Sequence, residues 1–199
     1  MFENSFGYDE RVPEKIRTIL MWLCKDMSSL QSKWDFYLEL YGSAKNTDLL
    51  SELAPWSFNI IEETLRNDMT MAICRLSDPA KSLGKDNLSL AYLVENCREF
   101  FDLTDLLKDF QVACEPISKY RNKQIGHNDL NTVIRPRENP LPDVSKEQIN
   151  KILQLAADIL NRIFIHFTGG ELSFHIISRD GADTLIFWLN AGKELHMNS

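Results

Sequence analysis

The sequence predicts a mainly α protein, an antiparallel helical bundle that ends in a small C-terminal β-hairpin. Two observations predict this fold class. Apolar residues recur every three or four positions through five segments between residues 16 and 167, as on the buried face of a helix. After Gly169 and Gly170 the apolar period shortens to two, which is typical of a strand. We therefore expect two units, a helical bundle over residues 1–168 and a hairpin with a tail over 169–199.

Each predicted helix follows its own apolar stripe and its own start and stop signals. The five helices are expected from Ile16 to Tyr41, from about Pro55 to Ser77, from Leu88 to Phe101, from Thr104 to Tyr120 or Arg121, and from Ser145 to Phe167. Ser89 and Thr104 are expected as N-caps, and Ser145 with Gln148 forms a capping box. Pro116 lies inside the fourth stripe, so we expect a kink there.

The connections are also predicted from composition. A polar link is expected at residues 43–48, a loop at 84–87, and a long loop at 128–144 that contains three prolines. The hairpin combines the alternation of Leu172, Phe174 and Ile176 with a second apolar strand at 184–189.

Composition favours a soluble, cytoplasmic protein. The 199 residues carry a net charge of −7 and are 44% hydrophobic, and no apolar stretch approaches the roughly 20 residues that span a bilayer. The N-terminus lacks the basic and apolar regions of a signal peptide. The four cysteines, at positions 24, 74, 97 and 114, include no closely spaced pair, so we expect buried, reduced thiols and no metal site.

One basic window stands out on this acidic chain. Between residues 117 and 137 there are five basic residues and a single acid, Asp129. His127 lies in this window, directly before the long loop. The other histidines, at 166, 175 and 196, have no ligand-type neighbours at suitable spacing, so we expect packing or solvent roles for them. On charge alone, a solvated helix face followed by a loop is the preferred explanation of this window.

Arg121 continues the apolar stripe of the fourth helix and has no acidic partner three or four residues away. A partly buried Arg needs a counter-charge, so we expect the partner on another helix, another subunit or a ligand anion. An ideal helix places Tyr120 and His127 on one face and Arg121 and Asn128 on the next. An Arg, an Asn and a His that converge suit phosphodiester chemistry, since Arg binds phosphoryl oxygens and His transfers protons near neutral pH.

The run Arg-Asn-Lys at 121–123, followed by Gly-His-Asn-Asp at 126–129, resembles the signature of the HEPN family, and most closely its abortive-infection AbiU-type branch. Arg-Leu-Ser-Asp at 75–78 and Asn-Leu-Ser-Leu at 87–90 also resemble that branch. The resemblance covers residues 13–167. Gly126 replaces the usual Ala, and Asp129 occupies the position of a tyrosine that partner nucleotidyltransferases adenylylate in some HEPN toxins, so that partner is not predicted.

The resemblance implies a HEPN bundle that forms a homodimer, with two Arg/His motifs in one cleft. It also implies a metal-independent endoribonuclease of a phage-defence or toxin–antitoxin system, without a cofactor. Arg121 would position the scissile phosphate, His127 would act as general acid or base, and Asn122 would orient one of them. The expected RNA contacts are Lys123, Asn128, Arg75, Arg135 and Arg137.

Alternatives remain open on the sequence alone. Arg75 and Asp78 at i, i+3 are equally explained as a local ion pair, with Asp78 capping the turn before Pro79. The whole chain could also be a non-catalytic HEPN-type module that binds a nucleotide, RNA or a protein partner such as an antitoxin or regulatory protein.

Overall fold

Helices make up most of the computed structural model, which describes residues 10–125, 144–175 and 181–197. Within these ranges the α-helices are α1 Glu14–Tyr41, α2 Ala44–Leu53, α3 Pro55–Ser77, α4 Leu90–Cys97, α5 Thr104–Tyr120, α6 Lys146–Thr168 and α7 Ala182–Met197. A π-helical turn, Arg121–Ile125, continues α5, and two short strands, β1 Lys81–Ser82 and β2 Lys85–Asp86, pair antiparallel. The predicted mainly α class is confirmed.

The main core lies between α1, α3, α5 and α6, with α4 closing one side. α5 packs on α6 and α3, and α1 packs on α3 and α6. The stripes predicted from the apolar spacing form this core, as shown by Leu23, Phe110 and Ile159, each of which is fully buried. The four cysteines are also buried, as predicted, and each is a free thiol.

Most of the predicted helix boundaries are confirmed by cap geometry. The Ser89 hydroxyl accepts a hydrogen bond from the backbone N–H of Tyr92, and Ser145 and Gln148 form the expected reciprocal capping box. Gly169 ends α6 in the left-handed region, at φ 72°. Thr104 is not an N-cap, however, because it is already the first residue of α5, and the Asp102 carboxylate accepts its backbone N–H at 2.8 Å instead.

Three short segments differ from their predictions. Residues 43–48 begin a helix, because Ser43 caps α2 and the apolar residues that anchor this helix, Leu49 and Leu50, come only in its second half. The third helix is shorter than expected, spanning only Leu90–Cys97. The loop at 84–87 belongs to a small hairpin, whose two turn residues, Leu83 and Gly84, both have positive φ.

The predicted C-terminal hairpin is wrong. Residues 184–189 lie in α7, where Ala182, Ile186 and Leu189 follow a helical i, i+4, i+7 spacing. These side chains belong to a second small core with Leu40, Leu50 and Phe58, which favours a helix over the strand that β-branched and aromatic residues suggested. The division into 1–168 and 169–199 remains a prediction.

The first predicted strand is also absent, because residues 171–175 form no strand. The alternation there reflects burial only. Leu172 and Phe174 pack into the main core, and the backbone of Leu172 bonds in both directions with the side-chain amide of Asn161, at 2.7 and 3.1 Å. Alternate burial on an extended segment therefore produced a strand pattern without a strand partner. Ile176 lies outside the described residues.

The helical assignment of the C-terminal segment predicts opposite effects for two Gly→Ala substitutions. Gly192 lies inside α7 and Gly169 lies at φ 72°, and an added Cβ meets no atom within 4 Å at either position. Only backbone conformation distinguishes them. We expect Gly192→Ala to raise the free energy of unfolding by about 0.4–1 kcal/mol, and Gly169→Ala to lower it by about 1–2 kcal/mol. Urea unfolding measures both, and a destabilising Gly192→Ala would contradict a helix at this position.

Candidate functional site

The candidate site lies where the C-terminal end of α3 meets the C-terminal end of α5. α3 packs on α5, and the π-helical turn that follows α5 also contacts α3. Ile117, which is almost fully buried, anchors the last turn of α5 in the core. Because Arg121 follows Ile117 by one helical turn, the core packing fixes where the motif begins.

The Arg-Asn-Lys run lies in the π-helical turn itself, Arg121–Ile125. Pro116, where a kink is predicted, lies within α5, and the π-helical turn begins five residues later. The backbone N–H of Arg121 still makes the α-helical contact with the carbonyl of Ile117 and shares it with that of Ser118, while the five residues from Arg121 to Ile125 form a wider, π-helical turn. Such wider turns are rare and frequent at functional sites. They also do not keep 100° per residue, so the ideal-helix rotation behind the prediction for Tyr120 and His127 does not apply across residues 121–125, and His127 itself lies outside the described residues.

Arg121 has an ion-pair partner on another helix. One terminal guanidinium nitrogen lies 3.7 Å from Oδ1 of Asp78, the residue that follows α3, and Nε donates to Oδ1 of Asn122 at 3.1 Å. Of the three possible partners of Arg121, namely another helix, another subunit and a ligand anion, the structure provides the first, at the C-terminal end of α3. Because Arg121 is paired within its own chain, it gives no ground for a second subunit, and a homodimer rests on the family resemblance alone.

Arg121 retains donors for a ligand. The Arg121 side chain is 27% exposed and that of Asp78 is 37% exposed, so both reach solvent from a packed base. A guanidinium has five N–H donors, and the described residues engage at most two of them. The arrangement can therefore hold the guanidinium in place and still offer it to an anion.

Two small polar groups, the Cys74 thiol and the Ser118 hydroxyl, lie near this pair. Sγ of Cys74 and Oγ of Ser118 are 4.0 Å apart, between α3 and α5. Burial raises the pKa of the Cys74 thiol, although the nearby Arg121 opposes that rise, and burial raises the pKa of Cys114 to about 12. Both thiols are thus neutral at physiological pH and unsuited to act as nucleophiles.

The other predicted site residues are only partly brought together. Asn122 is exposed beside Arg121, and Lys123 is half-buried in the same turn. Arg75 is exposed on the last turn of α3, three residues before Asp78. His127, Asn128, Arg135 and Arg137 lie outside the described residues, as does nearly all of the predicted 128–144 loop.

Asp78 is the site residue whose role the sequence did not reveal. The spacing suggested a local pair with Arg75 and a cap before Pro79. Asp78 does end α3, with its backbone N–H 3.4 Å from the carbonyl of Arg75, but its carboxylate faces Arg121 on α5. The sequence did contain one signal for Asp78: the segment Arg-Leu-Ser-Asp at 75–78 was among those that carried the family resemblance.

Two further properties of the described residues bear on function. None of the helices in the described ranges is both long and apolar enough to cross a bilayer. Over the same ranges, no three His, Cys, Asp or Glu side chains are arranged to hold a metal ion.

Comparison with known families agrees with the motif. The family model HEPN_AbiU2, described as AbiU2, matches residues 13–185. The chain belongs to the AbiU2 family of HEPN proteins. Among curated proteins and among solved structures, nothing matches the chain.

The AbiU2 match extends beyond the segment that carried the sequence resemblance. It begins one residue before α1, includes Asp78, Arg121 and the motif through His127, and ends within α7. The predicted family is therefore confirmed, and the match crosses the expected boundary at 168. AbiU2 membership makes the chain an abortive-infection type of HEPN module, while its activity is a separate question.

The exposure of the ion pair predicts that it orients Arg121 without contributing much stability. A double-mutant cycle with Asp78→Asn and Arg121→Gln should give a coupling of about 0.2–1 kcal/mol in urea unfolding, as for other solvent-accessible pairs. The exposed i, i+4 pair Glu115 and Lys119, with 61% and 66% exposed side chains, provides a control with expected coupling near 0.3–0.5 kcal/mol. A coupling of several kcal/mol would instead make the pair a structural element.

Proposed function

We propose that this AbiU2-family protein is a metal-independent endoribonuclease of a phage-defence or toxin–antitoxin system. The observation that carries the proposal is the placement of Arg121: a partly buried guanidinium at a π-helical turn, held by Asp78 and Asn122, six residues before His127. Arg121 binds the scissile phosphate, His127 acts as general base or acid, and Asn122 orients Arg121.

The chemistry follows from these groups. The 2′-hydroxyl of the preceding nucleotide loses its proton to a base and attacks phosphorus, and the bond to the 5′-oxygen breaks as that oxygen gains a proton. The products are a 2′,3′-cyclic phosphate and a 5′-hydroxyl. A guanidinium fixed in advance stabilises the extra negative charge of the pentacovalent state. A homodimer supplies two copies of His127 to one cleft, so that one accepts a proton while the other donates one.

Local charge supports a mechanism without a metal ion. Divalent cations in nucleases are held by clustered carboxylates. Around the motif the sequence offers five basic residues and one acid between 117 and 137, and the carboxylate that α3 contributes, Asp78, already faces Arg121. The same basic residues, Lys123, Arg135 and Arg137 among them, supply contacts to the RNA backbone, with Arg75 and Asn128 at the edges.

One observation favours the alternative, a non-catalytic module that binds RNA, a nucleotide or a protein partner such as an antitoxin. Asp78 offsets part of the charge of Arg121, and a compensated guanidinium attracts a phosphate less strongly than an unpaired one. Cleavage assays separate the two functions directly, because the binding module retains RNA affinity without producing cyclic phosphate.

The proposal predicts the products and the metal dependence of cleavage. Purified protein should cut single-stranded RNA in the presence of EDTA and leave 2′,3′-cyclic phosphate ends, which are detected by mass spectrometry. His127→Ala should lower the rate by about 10²–10⁴-fold, because a positioned general acid or base contributes that much. Single-stranded DNA, which has no 2′-hydroxyl, should remain intact.

The controls separate chemistry from folding. His175→Ala removes an exposed histidine that pairs with Asp35 and should leave cleavage unchanged. Arg121→Lys keeps the charge but loses the forked donor geometry, so it should cut poorly. Activity that EDTA abolishes, or efficient cutting of DNA, would contradict the mechanism.

The family resemblance also predicts a homodimer with the motif face at its interface. Light scattering at high micromolar concentration should give twice the chain mass of 23.0 kDa. Arg121→Glu should shift the protein towards monomer, because each motif face would then present the uncompensated Asp78 carboxylate beside a second carboxylate, and the two faces would repel each other across a two-fold axis. A monomer at high concentration would overturn the dimer without affecting the fold.

A further inference from the structure

A cavity of about 380 Å³ lies between α1, α3, the end of α5 and the start of α6. We call it the aromatic cavity, since Trp34, Tyr37 and Tyr120 line it together with Arg66, Lys146 and Ile149. Its volume is within the range of about 300–1,000 Å³ that small-molecule sites occupy. The proposed reaction makes no use of this cavity.

The aromatic rings of α1 are fixed in place. The planes of Trp34 and Tyr37 are nearly parallel, at 7°, with centroids 5.6 Å apart. The indole N–H of Trp34 donates to Asn150 at 2.7 Å, and the Tyr37 hydroxyl donates to Glu62 at 3.1 Å. Because these polar ends are already bonded and Trp34 is only 5% exposed, the half-buried ring of Tyr37, backed by Trp34, is the π surface that α1 contributes to the cavity wall. Flat, apolar surface of this kind suits a planar heterocycle.

Among the described residues, the charged side chains that line the cavity are two cations, Arg66 and Lys146. The Arg66 side chain is 57% exposed. Its nearest guanidinium nitrogen lies 3.9 Å from a carboxylate oxygen of Glu62, which is a long and weak contact. Nζ of Lys146 donates to the carbonyl of Gly42 at 2.9 Å. This acceptor is neutral, so the contact does not cancel the positive charge of Lys146. An aromatic wall with cationic groups beside it favours a planar ring that is joined to an anionic group, as the base of a nucleotide is joined to its phosphate.

The position of the cavity connects it to the candidate site. Tyr120 lines the cavity, and the next residue in the chain is Arg121, so the two α-carbons are about 3.8 Å apart. A phosphate at Arg121 and a base at Tyr120 would therefore belong to neighbouring groups of one strand. RNA is read mainly through unpaired bases that stack on aromatic side chains.

We propose that the aromatic cavity receives an unpaired nucleobase of the RNA, next to the phosphate that Arg121 contacts. The inference rests on the proposed ribonuclease function and adds a determinant of specificity to it. The cavity selects single-stranded RNA, because a base in a duplex cannot leave its stack without cost. Tyr120 supplies the stacking surface, and Arg66 binds the backbone at the rim.

The test is a calorimetric titration of the full chain carrying His127→Ala, so that RNA is not consumed. The probes are AMP, UMP, ribose 5-phosphate, a short single-stranded RNA and its duplex. We expect a mononucleotide to bind more tightly than ribose 5-phosphate, and the single strand to bind more tightly than the duplex. Quenching of tryptophan fluorescence should accompany binding and be lost in Trp34→Phe.

Variants assign the effect to the cavity. Tyr120→Leu, which keeps an apolar side chain but removes the ring, should weaken binding about 5–150-fold, while Tyr120→Phe should retain it. Arg66→Gln should weaken binding, and the exposed Arg162→Gln on α6 should not. Thermal unfolding of each variant checks that the fold is kept, and rescue by Phe distinguishes stacking from a structural role.

Several outcomes would overturn the inference. Ribose 5-phosphate binding as tightly as the mononucleotides would show a site for anions only, and mononucleotides that bind while RNA does not would show a site for free nucleotides. Unchanged binding in Tyr120→Leu would also exclude the cavity. If the wild type cuts RNA but the cavity binds no base, the inference fails and the ribonuclease function stands. Base binding that depends on Tyr120 in a protein that cuts no RNA would uphold the base site and overturn the function.

Discussion

Burial of one face of α5 positions every described residue of the candidate site. Phe110, Cys114 and Ile117 are at most 3% exposed, and they contact helices on both sides, α3 and α6. Loss of a large side chain from such a face costs about 3–5 kcal/mol. The last of these residues lies one turn before Arg121, so the position of the guanidinium is set by packing and not by the loop that follows. The end of α3 is held by the same contacts, which is why Asp78 faces Arg121.

The parts of the fold that could be predicted are those where burial and periodicity coincide. Long stripes in α1, α3, α5 and α6 pack on one another, so the helical period alone located them. Ser145 marked the start of α6, and Ser89 marked the start of the shorter α4. The period failed in short or exposed segments. α2 begins with polar residues, and α7 buries only one narrow face and leaves Trp188 65% exposed, so its composition suggested a strand. In both cases the structure depends on packing against residues that are distant in sequence, and a local pattern carries no information about that packing.

The candidate site was predictable in its residues and less so in its geometry. The motif pointed to Arg121 and Asn122, which the structure brings within hydrogen-bond distance, because a signature of residue types survives in sequence. The partner of Arg121 did not follow from spacing, since Asp78 is 43 positions away and the pair forms only when α3 packs on α5. The π-helical turn also escaped prediction: it depends on how the chain leaves a packed helix, and an ideal rotation of 100° per residue cannot describe it.

The ion pair with Asp78 raises the question of whether the carboxylate helps or hinders phosphate binding. A solvent-accessible pair is worth about 0.2–1 kcal/mol, whereas hydrogen bonds to a charged group contribute about 1.5–3 kcal/mol each. A phosphate that accepts two bonds from the unengaged N–H groups of Arg121 therefore gains more than weakening the pair costs. Without RNA, Asp78 and Asn122 limit the rotamers of a long side chain whose full ordering costs about 2 kcal/mol. On these magnitudes Asp78 acts chiefly by holding the guanidinium ready, and its partial neutralisation of the charge is the smaller effect.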